Sequence, residues 1–535
     1  MAVALVLGVC EDSASPVTAK ISPDQFLDPR WRLNNLYSVI DKRGKLIPFR
    51  TNAVQLELLN NVHSRMLNLK ARQFGVTTFW CLVMLDDCLF TPNVRAAVIA
   101  HKMDDAKVIF RDKIKGPYNH LDDALKAARP ASQDSADTMT FENGSSVRVS
   151  TSVRSATVNW LLISEYGKIC TQFPEKAIEI KTGAFPAAEQ GVIIIESTAE
   201  GEGGDFYDKA QTAQQMLSQK VELTRKDYKF FFFPWWRAPE YQMERTNIPI
   251  GPDDEAYFER IGHEIKEIPF LAEHFKGFSQ EQKNWYVTEE REQGGNMKRE
   301  YPSTPHEAFA QALEGAIFAD DLAAAYKHER IGHFPLDGRY PVNTFWDLGR
   351  SHGNATAIWL EQDIQAQPRM VGYLEFEGET IDSILRKLKE WALEHGATFG
   401  KHYMPHDGDR ELLWLPEGTL GVMGRLGFNP AIVERAAAIW ESVQVARRRF
   451  PQVQWDAVGC KLGLTRLKRY RKEFDDRRGV WRDHPYHGPE SNGADAYRTF
   501  AESGHLPAPP TKDYSEDAHR RRFYERASEE SWMTQ

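Results

Sequence analysis

Two sets of side chains in this sequence have the types and spacing to do chemistry. The first is the segment Lys70-Ala71-Arg72-Gln73-Phe74-Gly75-Val76-Thr77-Thr78, which gathers two cations, a glycine and paired hydroxyls. Such a segment can wrap phosphates. Backbone N–H groups at a glycine turn cradle the oxygens, a lysine reaches the β and γ groups, and a hydroxyl binds Mg2+. In the standard order, G-x-x-x-x-G-K-[ST], the lysine follows the second glycine. Here Gly75 and Thr77 stand where that glycine and the hydroxyl belong, but Val76 takes the lysine's place. Lys70, entering the loop, can reach the same phosphates from the opposite flank, with Arg72 as a second cation. Glu165 closes the apolar run Trp160-Leu161-Leu162-Ile163-Ser164 and suits a general base that orients an attacking water. Upstream, Gln55 follows Phe49-Arg50 at a place where an amide can read adenine. Downstream, Ile193-Ile194-Ile195-Glu196 leads to Ser197 and Thr198, hydroxyls suited to sensing a γ-phosphate.

The second set is Asp347, Asp407 and Asp495. Alone, each has an ordinary reading as a turn cap or a helix-terminal charge. Gathered together, three carboxylates repel one another unless divalent cations bind. Two Mg2+ or Mn2+ ions about 4 Å apart can activate a water and stabilise the leaving 3′-oxygen of a phosphodiester. Asp409 competes with Asp407 for the metal role, and Glu375 or Glu377 could assist from a neighbouring strand.

Elements must bring these residues together. From about 50 to 235, apolar runs with strand character alternate with helical stretches, which argues a mostly parallel α/β sheet. Leu67-Asn68-Leu69 leads into the glycine loop, Thr77 to Leu89 reads as an apolar helix, and Asp104 to Lys115 as another helix. Arg95 to Ala100, Val147 to Ser150, Trp160 to Ser164 and Val192 to Ser197 read as further strands. In the second half, Val342 to Asp347 reads as a strand, Ser351 to Asn354 as a turn, and Ala355 to Glu361 as its return. Met370 to Glu377 continues the sheet. Ile381 to His395 has helical spacing, with Ile381, Ile384, Leu385, Leu388 and Leu393 on one side. Phe399 to Met404 returns as a strand and delivers His406-Asp407-Gly408-Asp409, and Gly493-Ala494-Asp495 opens a last helix.

Taken together, Gln55, Lys70, Arg72, Gly75, Thr77, Glu165, Ser197 and Thr198 resemble the ATPase domain of tailed-bacteriophage large terminase subunits. The resemblance implies ATP and Mg2+ at this site, with Thr77 on the metal and Thr78 beside it. One departure stands out: Ser164 replaces the usual aspartate and brings no negative charge. Arg154 is a candidate charge stabiliser, and the segment Met297 to Phe309 resembles the one that closes this half in the family. The order of three meandering strands, helix, strand and helix resembles an RNase H-like nuclease. In such folds the first and fourth strands lie side by side, so the resemblance implies that Asp347, Asp407 and Asp495 form a Mg2+- or Mn2+-binding triad. The expected fold is thus α/β twice over, a P-loop NTPase-type parallel sheet followed by an RNase H-like nuclease domain.

At 535 residues the chain calls for more than one core. The expected division is an N-terminal arm (1–48), an ATPase core (49–240), a lid and linker (241–335), a nuclease domain (336–506) and a flexible tail (507–535). Five scattered cysteines without a C-x-x-C pair point to reduced thiols rather than disulfides or zinc. The apolar stretch Ala2 to Cys10 is too short to span a bilayer and lacks a basic flank, so a docked arm is expected and no membrane. A net charge of −9 excludes a whole-surface polyanion binder but leaves room for local basic faces. One such face runs from Arg447-Arg448-Arg449 through Lys461, Arg466, Lys468, Arg469, Arg471 and Lys472 to Arg482, interleaved with Trp455, Tyr470, Phe474 and Trp481.

The resemblance further implies double-stranded DNA, a portal protein and a small terminase subunit as partners, and a homo-oligomeric ring on the portal. It places the protein in the cytoplasm of an infected bacterium. A transposase or resolvase with an inactive N-terminal domain is the alternative that Val76 and Ser164 favour, and a non-enzymatic DNA-binding or assembly protein is a third.

Overall fold

The computed structural model describes residues 23–504 except 154–156, 245–247, 311–314, 350–354, 407–417, 435–437, 476–477 and 479. The chain forms two compact units that part between residues 314 and 315. Residues 315–335, expected in the lid, therefore belong with the second unit.

In the first unit, β1 (Ser38–Ile40) and β2 (Leu46–Pro48) make a small antiparallel pair. The main sheet contains β3 (Arg65–Lys70), β4 (Arg95–Ile99), β5 (Ala131–Asp134), β6 (Thr138–Phe141), β7 (Ser146–Ser150), β8 (Trp160–Ser164), β9 (Val192–Ser197) and β10 (Lys229–Phe233). Their order is β10-β3-β9-β8-β4-β7-β6-β5. All pairs from β10 to β7 are parallel, while β5 and β6 add an antiparallel edge. Helices cover both faces, so the central strands are buried throughout and read as continuous apolar runs. Because the strands are parallel, the loops leaving β3, β8 and β9 emerge at one edge of the sheet, the usual ligand side. β9 lies between β3 and β8, so the loop strand and the Glu165 strand are not neighbours.

The helix Val76–Phe90 is buried along almost its whole length, which explains its apolar sequence. Gly75 precedes it in the left-handed region at φ 68°, a conformation cheap only for glycine. The one charged residue buried in that helix, Asp86, receives Arg32 from the helix Pro29–Asn35 through Nη2 at 2.6 Å, and the Tyr37 hydroxyl at 2.9 Å. Residues 29–37, part of the expected N-terminal arm, are thereby built into the first unit. Asp86→Asn leaves the Arg32 guanidinium buried without its counter-charge, at an expected cost of about 2–3 kcal/mol. Chemical denaturation of the whole chain, followed through the first unit's transition, checks this.

The expected single helix at Asp104 to Lys115 is Met103–Phe110 followed by a π-turn, Arg111–Lys115. Ala2 to Cys10 and Arg154 lie outside the described residues. The helical part, from Pro252–Glu267 to Pro305–Phe309, packs an aromatic cluster around Trp235, which lies 5.0 Å from Tyr286 and 5.6 Å from Phe278 between ring centroids.

The second unit is built on β11 (Ile331–Gly332), β12 (Val342–Asp347), β13 (Ala355–Ile364), β14 (Gln367–Glu377), β15 (Phe399–Pro405), β16 (Pro430–Val433) and β17 (Gln454–Asp456). The order is β11-β17-β14-β13-β12-β15-β16. β12, β13 and β14 form an antiparallel meander, and β15 pairs in parallel with β12, with Phe345 opposite Tyr403. This is the first-beside-fourth arrangement expected of an RNase H-like sheet. The helix Ile381–His395 makes the crossover, opened by the Thr380 cap and closed by Gly396 in the left-handed region. Its buried stripe is Ile384, Leu385, Leu388 and Ala392; Leu393, expected on that side, is 83% exposed.

The last helix is Pro489–Glu502, so Asp495 lies inside it rather than at its opening. A hairpin of β18 (Lys472–Asp475) and β19 (Val480–Pro485) completes the unit. The expected turn at Ser351 to Asn354 and the tail from Pro507 lie outside the described residues.

Candidate active sites

A cavity of about 750 Å³ opens in the first unit at the loop edge of its sheet. Gln55, Lys70, Arg72, Gly75, Thr77, Thr78, Glu165 and Thr198 all line it. Lys70, the last residue of β3, is buried and donates from Nζ to Glu165 Oε1 at 3.2 Å. Burial works against its ammonium, but the Glu165 and Glu196 carboxylates outweigh burial and hold its pKa above the usual lysine value. The same pair acts in reverse on Glu165. Burial would raise its pKa, but Lys70, a Thr198 backbone N–H and Arg72 bring it below the ordinary glutamate value. Glu165 is therefore a carboxylate at neutral pH. It sits in the left-handed region, φ 55°, between β8 and the helix Tyr166–Gln172, a strained place for a residue with a Cβ.

Arg72 bonds the Glu300 carboxylate through Nε, and its backbone N–H donates to Glu300 O at 3.0 Å. Glu300 belongs to the helix Met297–Glu300, within the segment expected by resemblance to close this half. Its chemical part, anchoring the loop's second cation, was not foreseen. Gln55 is committed locally: its Oε1 accepts from Asn52 N at 3.1 Å to close a capping box, and its Nε2 donates to Gly75 O at 3.2 Å. It thus ties the helix Ala53–Asn60 to the Gly75 loop. Ser197 does not line the cavity. Its fully buried hydroxyl accepts the Gly167 N–H at 3.0 Å on the other face of β9, because alternate residues of a strand face opposite ways.

The residue the sequence reading passed over is Glu196. It is completely buried, and its Oε1 accepts both the Thr77 hydroxyl and, at 3.0 Å, that of Ser164. An acid inside an isoleucine run was the signal available in the sequence.

In the second unit, Asp347 ends β12 and stands opposite Ala357 of β13, which in turn stands opposite Glu375 of β14. Thr499 in the last helix donates to Trp346 O at 3.1 Å. Asp495 lies one turn earlier on the same helix face, so this bond holds it toward the end of β12. Asp495 receives Arg498 Nη1, and Arg498 is itself 1% exposed. Glu375 is held by Arg466 at 3.1 and 3.2 Å. The Tyr373 hydroxyl feels burial first and then both Glu375 and Asp347, which push its pKa well above the usual tyrosine value. Asp347, Glu375 and Tyr373 therefore share one neighbourhood. Asp407 and Asp409 lie outside the described residues; β15 ends at Pro405. Among the described residues, no three His, Cys, Asp or Glu side chains are gathered closely enough to hold a metal ion.

The basic stretch is less open than its sequence implies. Arg447 pairs with Asp321 at 2.7 Å, Lys472 with Asp483 at 2.5 Å and Arg482 with Asp475 at 3.0 Å. Trp455 and Tyr470 are core residues, whereas Phe474 and Trp481 pack against each other in the hairpin at 5.0 Å between ring centroids.

The two sheet orders and the residues at their ends define a P-loop NTPase-type α/β unit followed by an RNase H-like α/β unit. No family model matches the chain, and no curated protein sequence matches it. Solved structures similar to it include the large terminase of a thermophilic bacteriophage in complex with ADP, at 12% identity over 85% of this chain and 100% of that one, with a TM-score of 0.31. The large terminase of bacteriophage HK97 aligns at 11% identity over 88% of this chain and 98% of that one, with a TM-score of 0.43. The large terminase ATPase domain of a Thermus phage aligns at 13% identity over 48% of this chain and 94% of that domain, with a TM-score of 0.31.

Proposed function

We propose that this chain is a large terminase subunit: an ATPase that drives double-stranded viral DNA into a procapsid, joined to a divalent-metal-dependent endonuclease that cuts the concatemer. The observation that carries the reading is the placement of Lys70, Thr77 and Glu165 around one cavity, in a chain whose second half sets Asp347 beside β15 and under the Asp495 helix. In the first unit, Lys70 and Arg72 bind the nucleotide's phosphates, the Gly75 turn presents backbone N–H groups, and Thr77 holds Mg2+. Bound Mg2+ neutralises charge on the phosphates. Glu165 orients the attacking water once phosphates have drawn Lys70 away. In the second unit, Asp347, Asp407 and Asp495 hold Mg2+ or Mn2+ for phosphodiester cleavage.

The partners that go with this reading are DNA, the procapsid's portal protein, a small terminase subunit and further copies in a ring on the portal. The compartment is the cytoplasm of the infected host. No helix among the described residues is long and apolar enough to cross a membrane.

The test is DNA-stimulated ATP hydrolysis and Mn2+-dependent plasmid cleavage by the whole chain, comparing wild type with Lys70→Ala. Removing the buried ammonium should weaken ATP binding about 10- to 100-fold, the range for a lost charge-assisted hydrogen bond, and leave cleavage unchanged. Wild type that cuts DNA yet hydrolyses no ATP, even with DNA and portals present, would move the reading to a transposase or resolvase.

A further inference from the structure

Ser164 leaves the Glu165 strand without a carboxylate of its own for the loop hydroxyl. In P-loop enzymes Mg2+ is held by the loop Ser or Thr together with an acidic residue on a strand of the same sheet. Here the acid stands one strand over. Ser164 on β8 is in register with Glu196 on β9, and Glu196 is in register with Asn68 on β3. Register partners on parallel strands face the same way, about 4.8 Å apart, so the three side chains form a polar layer under the phosphate loop. Thr77, the loop's hydroxyl, already bonds the Glu196 carboxylate.

Packing does not account for this layer. Glu196 is 0% exposed and its Oε2 has no hydrogen-bond partner; Asn68 is 0% exposed and neither atom of its amide is paired. Buried polar atoms are nearly always satisfied, and leaving one unpaired costs about 1–3 kcal/mol, more for a charge. An apolar side chain of similar volume would sit in this core without that cost. The surrounding strands, Ile193 to Ile195 and Leu161 to Ile163, are otherwise apolar and fully buried. An acid kept here at such a cost, touching the hydroxyl that meets Mg2+, has the chemistry of a cation partner.

We propose that Glu196 supplies the negative charge that holds the nucleotide's Mg2+, filling from β9 the role that Ser164 leaves vacant on β8. The proposal rests on the ATPase reading given above. Mg2+ takes oxygen ligands, keeps several of its waters and is commonly bound through one or two carboxylates plus substrate phosphates. Thr77 lines the cavity, and Glu196 and Ser164 lie behind it, so Thr77 meets the ion and the Glu196 charge stands one hydroxyl away. Lys70, which feels both Glu165 and Glu196, balances the charge while the nucleotide is away.

The experiment measures binding of a slowly hydrolysed ATP analogue to the whole chain, in EDTA and along a Mg2+ titration, without turnover. Glu196→Gln should bind the analogue as wild type does in EDTA. It should need about 10- to 100-fold more Mg2+ for the metal-dependent gain, the range seen when a metal site loses a supporting carboxylate. Adding Ser164→Asp to Glu196→Gln should bring the Mg2+ requirement back toward wild type. A wild-type Mg2+ requirement in Glu196→Gln overturns the proposal while leaving the ATPase reading standing. Wild type that binds no nucleotide under any condition overturns that reading and this proposal together. Should Glu196→Gln lose EDTA-state binding through misfolding, Glu196→Asp keeps the charge but shortens the reach; several-fold more Mg2+ is expected, and no change overturns the proposal.

Discussion

Glu165→Ala is expected to lower the rate of ATP hydrolysis by about 10²- to 10⁴-fold, the span a positioned acid–base group usually contributes. ATP affinity should stay within a few-fold of wild type, because Lys70, Arg72 and the Gly75 turn remain. The geometry gives Glu165 a particular kind of role. Its carboxyl lies below the usual range, since Lys70 bonds it at 3.2 Å, so at pH 7 it is ionised. A base that weak takes little of the proton early. In the proposed reaction its part is to orient water and counter developing positive charge, which suits the loose transition state of phosphoryl transfer. In the structure Lys70 occupies Glu165, so the proposal requires phosphates to compete for the ammonium. Single-turnover hydrolysis beside equilibrium nucleotide binding separates these effects. A near-normal rate in the alanine variant would remove Glu165 from the chemistry, and a matched loss of binding would make it a structural partner of Lys70 only.

Local rules made much of both units legible. The β3–Gly75–helix passage follows from an apolar strand, a glycine free to take positive φ, and an apolar helix. The Asp347 strand, the crossover helix Ile381–His395 and β15 appear in the sequence at nearly the bounds observed. What the sequence could not display is register. Ser164 brings no charge of its own, and its neighbour across the sheet, Glu196, lies 32 positions away and is joined to it only by strand pairing. Ser197 read as a phosphate sensor because a strand-end hydroxyl looks alike from either face. The acidic partners of the basic run, Asp321 and Glu375, sit far upstream in the chain, so local sequence does not show how many of its charges are paired. Leu393 was misplaced by a broad apolar stripe: Ala392 fills the buried position instead. The Asp495 helix begins at Pro489 because proline suits a first turn, a stronger start signal than the glycine at 493.

Asp347→Ala should abolish metal-dependent DNA cleavage, by about 10³-fold or more, while leaving ATP hydrolysis unchanged. The reason lies in the sheet. Asp347 closes β12 next to the parallel strand β15, the one that leads toward Asp407. The Thr499 bond to Trp346 O fixes the Asp495 helix against that same strand end. In the proposed site a carboxylate at 347 stands between the end of the strand that precedes Asp407 in sequence and the Asp495 helix. Glu375 is the nearest candidate in register, but Arg466 holds it in a bidentate pair. Glu375→Gln should therefore act mainly by releasing Arg466 and slow cleavage less than Asp347→Ala does. Mn2+ titrations of plasmid nicking by both variants, with ATPase measured in the same preparations, decide the matter. Cleavage retained by Asp347→Ala would place the cutting centre elsewhere in the second unit, and a joint loss of ATPase would point to damage beyond the metal site.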